Sequence, residues 1–245
     1  MDSRRLAYLN ALDIDVWTLR AATSSVSGAP DVAVKTQGAA EPSASGIEPG
    51  DSNLAQMGWD DLAAAVRKCT LCTLHATRTQ SVFGVGDRAA RWMVIGEAPG
   101  MDEDRQGEPF VGRAGQLLNS MLRAMGLARE QVFIANILKS RPPHNRDPRP
   151  EEVRACLPYL YRQIELVNPT LLLCVGRIAA QTLLETTDPI GKLRGVVHRI
   201  AADRPMVVTY HPAYLLRSPV EKRKAWADLM LAMRTFARLQ EDGRT

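Results

Sequence analysis

Four features of this chain combine residue types that could do chemistry. The run GEAPGMDEDRQGEPFVG, from Gly96 to Gly112, gathers Glu97, Asp102, Glu103, Asp104 and Phe110 in one segment. Its carboxylates could serve as acid or base, its backbone NH groups could face a ligand, and its ring could stack on one. The same run also fits a solvated acidic turn with Phe110 plugging the core. Asn136 is the polar exception in VFIANIL, residues 132–138. A buried Asn amide must both donate and accept, so it is either a local structural bridge or a ligand reader. His211 opens HPAYLLR and is a candidate donor, or a satisfied histidine at a strand end. Cys69 and Cys72 form a C-x-x-C pair whose thiolates can converge on one metal from a single turn, which fits zinc, a redox dithiol or an iron-sulfur cluster.

These residues need elements to position them. Trp92–Ile95 is an apolar run ended by Gly96, Pro99 and Gly100, which reads as a buried strand followed by a loop. From Gly115 the period changes, and Leu117, Leu118, Met121, Leu122 and Met125 share one face of a helix that Gly126 can close. VFIANIL, TLLLCVG (170–176) and MVVTYH (206–211) read as further buried strands. Between them lie a helix carrying Val153, Cys156, Leu160 and Ile164 inward, with Pro158 expected to bend it, and the helical stretch RIAAQTLLE. Alternating buried strands and helices predict an α/β fold: three layers, α/β/α, around a central parallel four-stranded sheet. In such sheets ligands bind beyond the carboxyl ends of the strands, where Gly96–Phe110, Asn136 and His211 fall. Neither G-x-G-x-x-G nor G-x-x-x-x-G-K-[ST] occurs where a nucleotide fold would need it.

The chain has 245 residues, with 31 Lys plus Arg against 27 Asp plus Glu, a formal net charge of +4 that permits a polyanion partner. The Pro-rich loop KSRPPHNRDPRPEE (139–152) concentrates Lys139, Arg141, Arg146 and Arg149 and suits a phosphate backbone. No apolar segment approaches membrane-spanning length and the N-terminus lacks a signal-peptide core, so a cytoplasmic protein without a membrane partner is expected. In that compartment four cysteines point to metal binding or burial rather than disulfides. Residues 1–20 carry Leu6, Leu9, Leu12, Ile14 and Trp17 and read as a docking peptide or a helix packing back on the domain. Residues 21–55, rich in Ala, Ser, Gly and Pro, read as a disordered linker, 56–240 as the folded domain and 241–245 as a tail.

GEAPG, an acidic segment, GEPFVGRAG, the C-x-x-C pair, RPP-x-N-R, Cys156 and HPAYLLR together resemble the family 4 (iron-sulfur) uracil-DNA glycosylases over about residues 57–240. The resemblance implies hydrolysis of the N-glycosidic bond of a flipped-out deoxyuridine, starting base excision repair. Phe110 would stack on uracil, Asn136 would read its imide edge, and the backbone of Gly96, Glu97 and Ala98 would close the pocket. His211 would donate to the uracil oxygen that gains charge, Glu97 would position water, and Glu103 or Asp104 would steady the cationic sugar. Leu215 and Leu216 would wedge into the gap left by the base, with Arg217, Arg141 and Arg146 on the DNA. His198 is read as non-nucleophilic, because its spacing departs from a sister branch with a covalent histidine.

The resemblance also implies a structural 4Fe-4S cluster on Cys69, Cys72 and Cys156, but Ser140 stands where the fourth cysteine is expected. Either the Ser140 position or Cys174 could complete the set, and Cys174 also reads as ordinary strand core. Residues 1–20 further resemble the N-terminus of the psi subunit of the DNA polymerase III clamp loader, which implies a clamp-loader partner for a protein expected to be monomeric. A second reading is a replisome-associated module that binds uracil or single-stranded DNA without turnover.

Overall fold

The computed structural model describes residues 54–200 and 203–242; residues 1–53, which hold the expected docking peptide and most of the expected linker, lie outside the described residues. Four continuous apolar runs form the centre of the sheet: β2 (Trp92–Gly96), β3 (Phe133–Asn136), β4 (Leu171–Val175) and β6 (Arg204–Thr209). They lie parallel in the order β3-β2-β4-β6. Buried on both faces, they need helices above and below.

The side-chain period of two sorts each run between the layers. Val94, Ile134, Leu171, Leu173 and Val207 meet α3 (Arg113–Ala124), α7 (Pro212–Arg217) and α8 (Lys222–Asp242) in one core. Met93, Ile95, Phe133, Ala135, Leu172, Cys174, Met206 and Val208 meet α4 (Pro150–Val167), α5 (Arg177–Leu183) and α6 (Ile190–Leu193) in the other. α1 (Trp59–Lys68) packs on α4 through Leu62, Val66 and Tyr159, and α2 (Met101–Gln106) lies inside the acidic loop. α4 continues past Pro158, where the missing NH leaves the Arg154 carbonyl without its helical donor.

The expected four-stranded sheet is six-stranded, because each side is finished by an antiparallel strand. β1 (Val85–Gly86) pairs with β3, and β5 (Val197–Ile200) pairs with β6. Neither carries a continuous apolar run: β1 is two residues long, and β5 is half exposed at an edge. The chain leaves β2 for α3 on one face and β4 for α5 on the other, so a crevice opens beyond their carboxyl ends.

Candidate active site

Gly96 and Asn136 end neighbouring strands in direct register, and the crevice is built from that pair outward. A Cβ added at Gly96 would fall on Asn136 Oδ1 and within 2.7 Å of the Phe110 ring, so only glycine lets these groups close over the strand end. Phe110 is buried with φ of 55°, a left-handed conformation that a bulky residue adopts only when its surroundings enforce it. Glu103 supplies part of that enforcement: Oε2 accepts from Gly100 NH at 3.0 Å, and Oε1 from Val111 NH at 3.0 Å and Gly112 NH at 3.1 Å. Arg129 adds a donation to the Pro109 carbonyl and a bond to Asn119 at 3.1 Å.

Asn136 Oδ1 is buried and has no hydrogen-bond partner. An orphaned buried acceptor costs about 1–3 kcal/mol, so an oxygen left in that state beside a ring and a glycine marks a candidate ligand contact. Behind it the buried Lys139 donates from Nζ to the Asn136 carbonyl at 2.7 Å and to Gln163 Oε1 at 2.6 Å, while Gln163 Nε2 donates to the Phe83 carbonyl at 2.9 Å. Burial pushes the Lys139 ammonium down to about 7.

His211 caps α7 through Nδ1, which accepts from Ala213 NH at 3.1 Å. That bond needs a lone pair on Nδ1 and so leaves the ring proton on Nε2. Burial, aided by Arg217 and opposed by Glu103, lowers His211 to about 4, and its ring stacks on Phe110 with centroids 5.6 Å apart. His211 is therefore a neutral NH donor at neutral pH. Gly176, at φ of 106°, admits it: an added Cβ would lie 3.1 Å from His211 Cβ. Glu97 completes the crevice, its carboxyl raised to about 7 by burial and by Asp147, against the pull of Arg177; Asp147 and Arg177 are themselves paired at 3.1 Å.

The sequence match decides what this crevice belongs to. The profile of the Uracil DNA glycosylase superfamily matches residues 83–230. The chain belongs to that superfamily. It is 46% identical over 167 residues to a type-4 uracil-DNA glycosylase of Archaeoglobus fulgidus, covering 65% of this chain and 84% of that protein. The type-4 enzyme of Thermotoga maritima is 44% identical over 62% of this chain and 80% of its own length, and that of Pyrobaculum aerophilum 41% over 71% and 93%.

Several residues expected at a uracil-DNA glycosylase site stand elsewhere. Both oxygens of Asp104, 3% exposed, accept from Thr79 NH at 2.9 and 3.1 Å, so Asp104 ties two loops together and does not face the crevice. Glu103 is likewise occupied by three backbone NH groups and acts on the Phe110 loop rather than as a free carboxylate. Leu215, 1% exposed, packs into the core with Leu117 and Leu229 and cannot wedge into DNA; Leu216 is half-buried against the same core, and the exposed side chains of α7 are Tyr214 and Arg217. Arg146 is clamped to the fully buried Glu152 by bonds of 2.9 and 2.5 Å, and Lys139 faces inward, so these two do not offer free charge to phosphates. Arg141 keeps part of its guanidinium available beyond a 2.7 Å bond to Asn145 Oδ1, and Arg149 is exposed. His198 bonds the Leu193 carbonyl through Nε2 at 2.6 Å.

Lys139, Gln163 and Arg129 were missed as site supports. A buried polar side chain that bonds main-chain carbonyls and amides leaves no periodic signal in a sequence.

Cys72 and Cys156 meet beside the main chain of Lys139. The Cys72 thiol is lowered to about 6 by its hydrogen bond with Cys156, whose own thiol is pushed up by that bond and by burial. Cys156 Sγ accepts from Lys139 NH at 3.5 Å, and the Tyr159 hydroxyl is bonded to Cys69. Ser140 Oγ accepts from Arg78 at 2.9 Å, and the same guanidinium donates to the carbonyls of Cys69 and Arg67 at 3.0 and 2.9 Å. Cys174 lies fully buried in β4, its thiol raised by burial alone. Among the described residues no three Cys, His, Asp or Glu side chains are arranged around one point as metal ligands. Ser140, which stands at the expected fourth position, has its hydroxyl already bonded by Arg78.

Proposed function

We propose that this chain flips deoxyuridine out of DNA and excises the base, as a uracil-DNA glycosylase acting at the Gly96–Asn136–His211 crevice. The observation that carries the reading is the orphaned Asn136 Oδ1, paired in register with Gly96 and closed over by Phe110. A uracil imide supplies the missing NH, while the Asn136 amide NH2 answers the adjacent carbonyl. Phe110 offers its face to the base. As the bond between N1 and the anomeric carbon breaks, its electron pair passes into uracil. His211 Nε2–H then hydrogen-bonds the oxygen on which that charge collects, keeping its own proton. Water adds to the anomeric carbon and its proton passes to the Glu97 carboxylate, whose raised value suits a base at neutral pH. Glu103 contributes by fixing the Phe110 loop.

Cys69, Cys72 and Cys156 would hold a 4Fe-4S cluster by three thiolates with Ser140 at the fourth corner; bound there, the cluster would crosslink α1, the 139–152 loop and α4. Arg141 and Arg217 contribute positive charge for the DNA backbone.

The test is incubation with uracil-containing single-stranded DNA followed by alkali. Strand cleavage confirms excision, whereas binding without cleavage leaves a module that has lost turnover. The likeness of residues 1–20 to a clamp-loader subunit supports tethering to the replisome, which would raise the enzyme's concentration where DNA is made. Deleting 1–20 should abolish co-purification with clamp-loader subunits and leave excision from oligonucleotides unchanged.

A further inference from the structure

Beyond the pocket, a row of packed side chains that the excision mechanism leaves unused leads out to α7. It starts at Asp228, fully buried on α8, which accepts from Thr209 Oγ1 at 2.9 Å and from Arg194 at 3.0 and 2.8 Å. Arg194 also donates to the Lys224 carbonyl at 2.6 Å, so its guanidinium plane is fixed. That plane lies 5.4 Å from the Tyr210 ring centroid, and Tyr210 in turn meets the Tyr214 ring at 5.1 Å and 37°. The column ends in solvent: Tyr214 is 36% exposed. It stands three residues after His211 and three before the exposed Arg217, on one side of the α7 turn whose other side buries Leu215.

A ring that reaches solvent, backed by a second ring and a fixed guanidinium, is what single-strand binders present to nucleobases. It is displayed one helical turn from the donor that meets the flipped base. Resting on the excision reading above, we infer that Tyr214 stacks on the nucleobase adjacent to the flipped deoxyuridine, with Arg217 beside the intervening phosphate. It thereby takes the role at the DNA that burial denies Leu215. The stack does no bond chemistry; it holds the opened strand while the uridine is out.

The test compares wild type, Tyr214→Ala and Tyr214→Phe on single-stranded oligonucleotides with one uracil, and follows a 2-aminopurine placed next to that uracil. Tyr214→Ala should raise KM roughly tenfold to a hundredfold with kcat little changed, and should lose the fluorescence quenching that wild type produces on binding. Tyr214→Phe, which keeps the ring, should retain both. Unchanged KM and quenching in Tyr214→Ala, or equal losses in Tyr214→Phe, would overturn the assignment. If wild type quenches 2-aminopurine but releases no uracil, the excision reading fails while the stacking site stands.

Discussion

Lys139 donates from Nζ to the main-chain carbonyl of Asn136 at 2.7 Å, so the strand end that carries the Asn136 amide is held from behind by a buried amine. Replacing Lys139 by Met would keep the volume but leave the Asn136 carbonyl and Gln163 Oε1 without donors. Each loss costs about 1–3 kcal/mol in a buried setting. Urea unfolding of Lys139→Met should register a destabilisation of that order. Free uracil should also inhibit the remaining folded enzyme less well, an effect that a loss of stability alone would not produce.

Asn136→Ala and His211→Ala should separate function from folding. On the proposed reading each removes a group aimed at the leaving base, and loss of one such polar contact costs on the order of a hundredfold in kcat. Asn136→Ala also deletes an orphaned acceptor, so its thermal stability should match or exceed wild type. Full activity in both variants would sink the pocket assignment.

The pH dependence follows from two opposite shifts. Glu97 is raised from 4.5 to about 7, so the fraction able to accept a proton, and with it kcat/KM, should fall about tenfold per pH unit below 7. His211, lowered to about 4, stays a neutral donor across that range and adds no limb of its own. In stability the same Glu97 shift has the reverse sign. Between 4.5 and about 7 the folded chain holds a proton that the unfolded chain has released, so stability falls as pH rises through that window. Glu97→Gln should therefore lose activity and, above pH 7, gain about 1–2 kcal/mol of stability.

For the cysteine region, the expected outcome is that Cys69→Ala or Cys156→Ala abolishes bound iron and visible absorbance, whereas Cys174→Ala leaves both. Ser140→Cys should slow iron loss in air by supplying a fourth thiolate, at the expense of the bond from Arg78. Iron analysis of the four variants decides the matter; bleaching by Cys174→Ala alone would move the fourth corner into β4.

The four central strands were legible because each is a continuous apolar run, and their carboxyl ends pointed to Gly96, Asn136 and His211 as neighbours. What the sequence hid depends on contacts between distant segments. Glu103 and Asp104 sit side by side in the same acidic run, yet only the fold assigns one to the Phe110 loop and the other to Thr79. Leu215 and Leu216 are chemically alike, and only the turn of α7 decides which is sealed in the core. Arg146 reads as a free cation until Glu152, six residues on, claims it. Edge strands β1 and β5 escaped notice because a half-exposed strand needs no apolar run to pair.

The register of β2 on β3 sets Gly96 opposite Asn136. A slip of one residue would put Ala135 or Ile137 there and turn the amide to the opposite face of the sheet. The strand end would then lose the amide on which the proposed base reading rests, so one register decides both the sheet and the pocket.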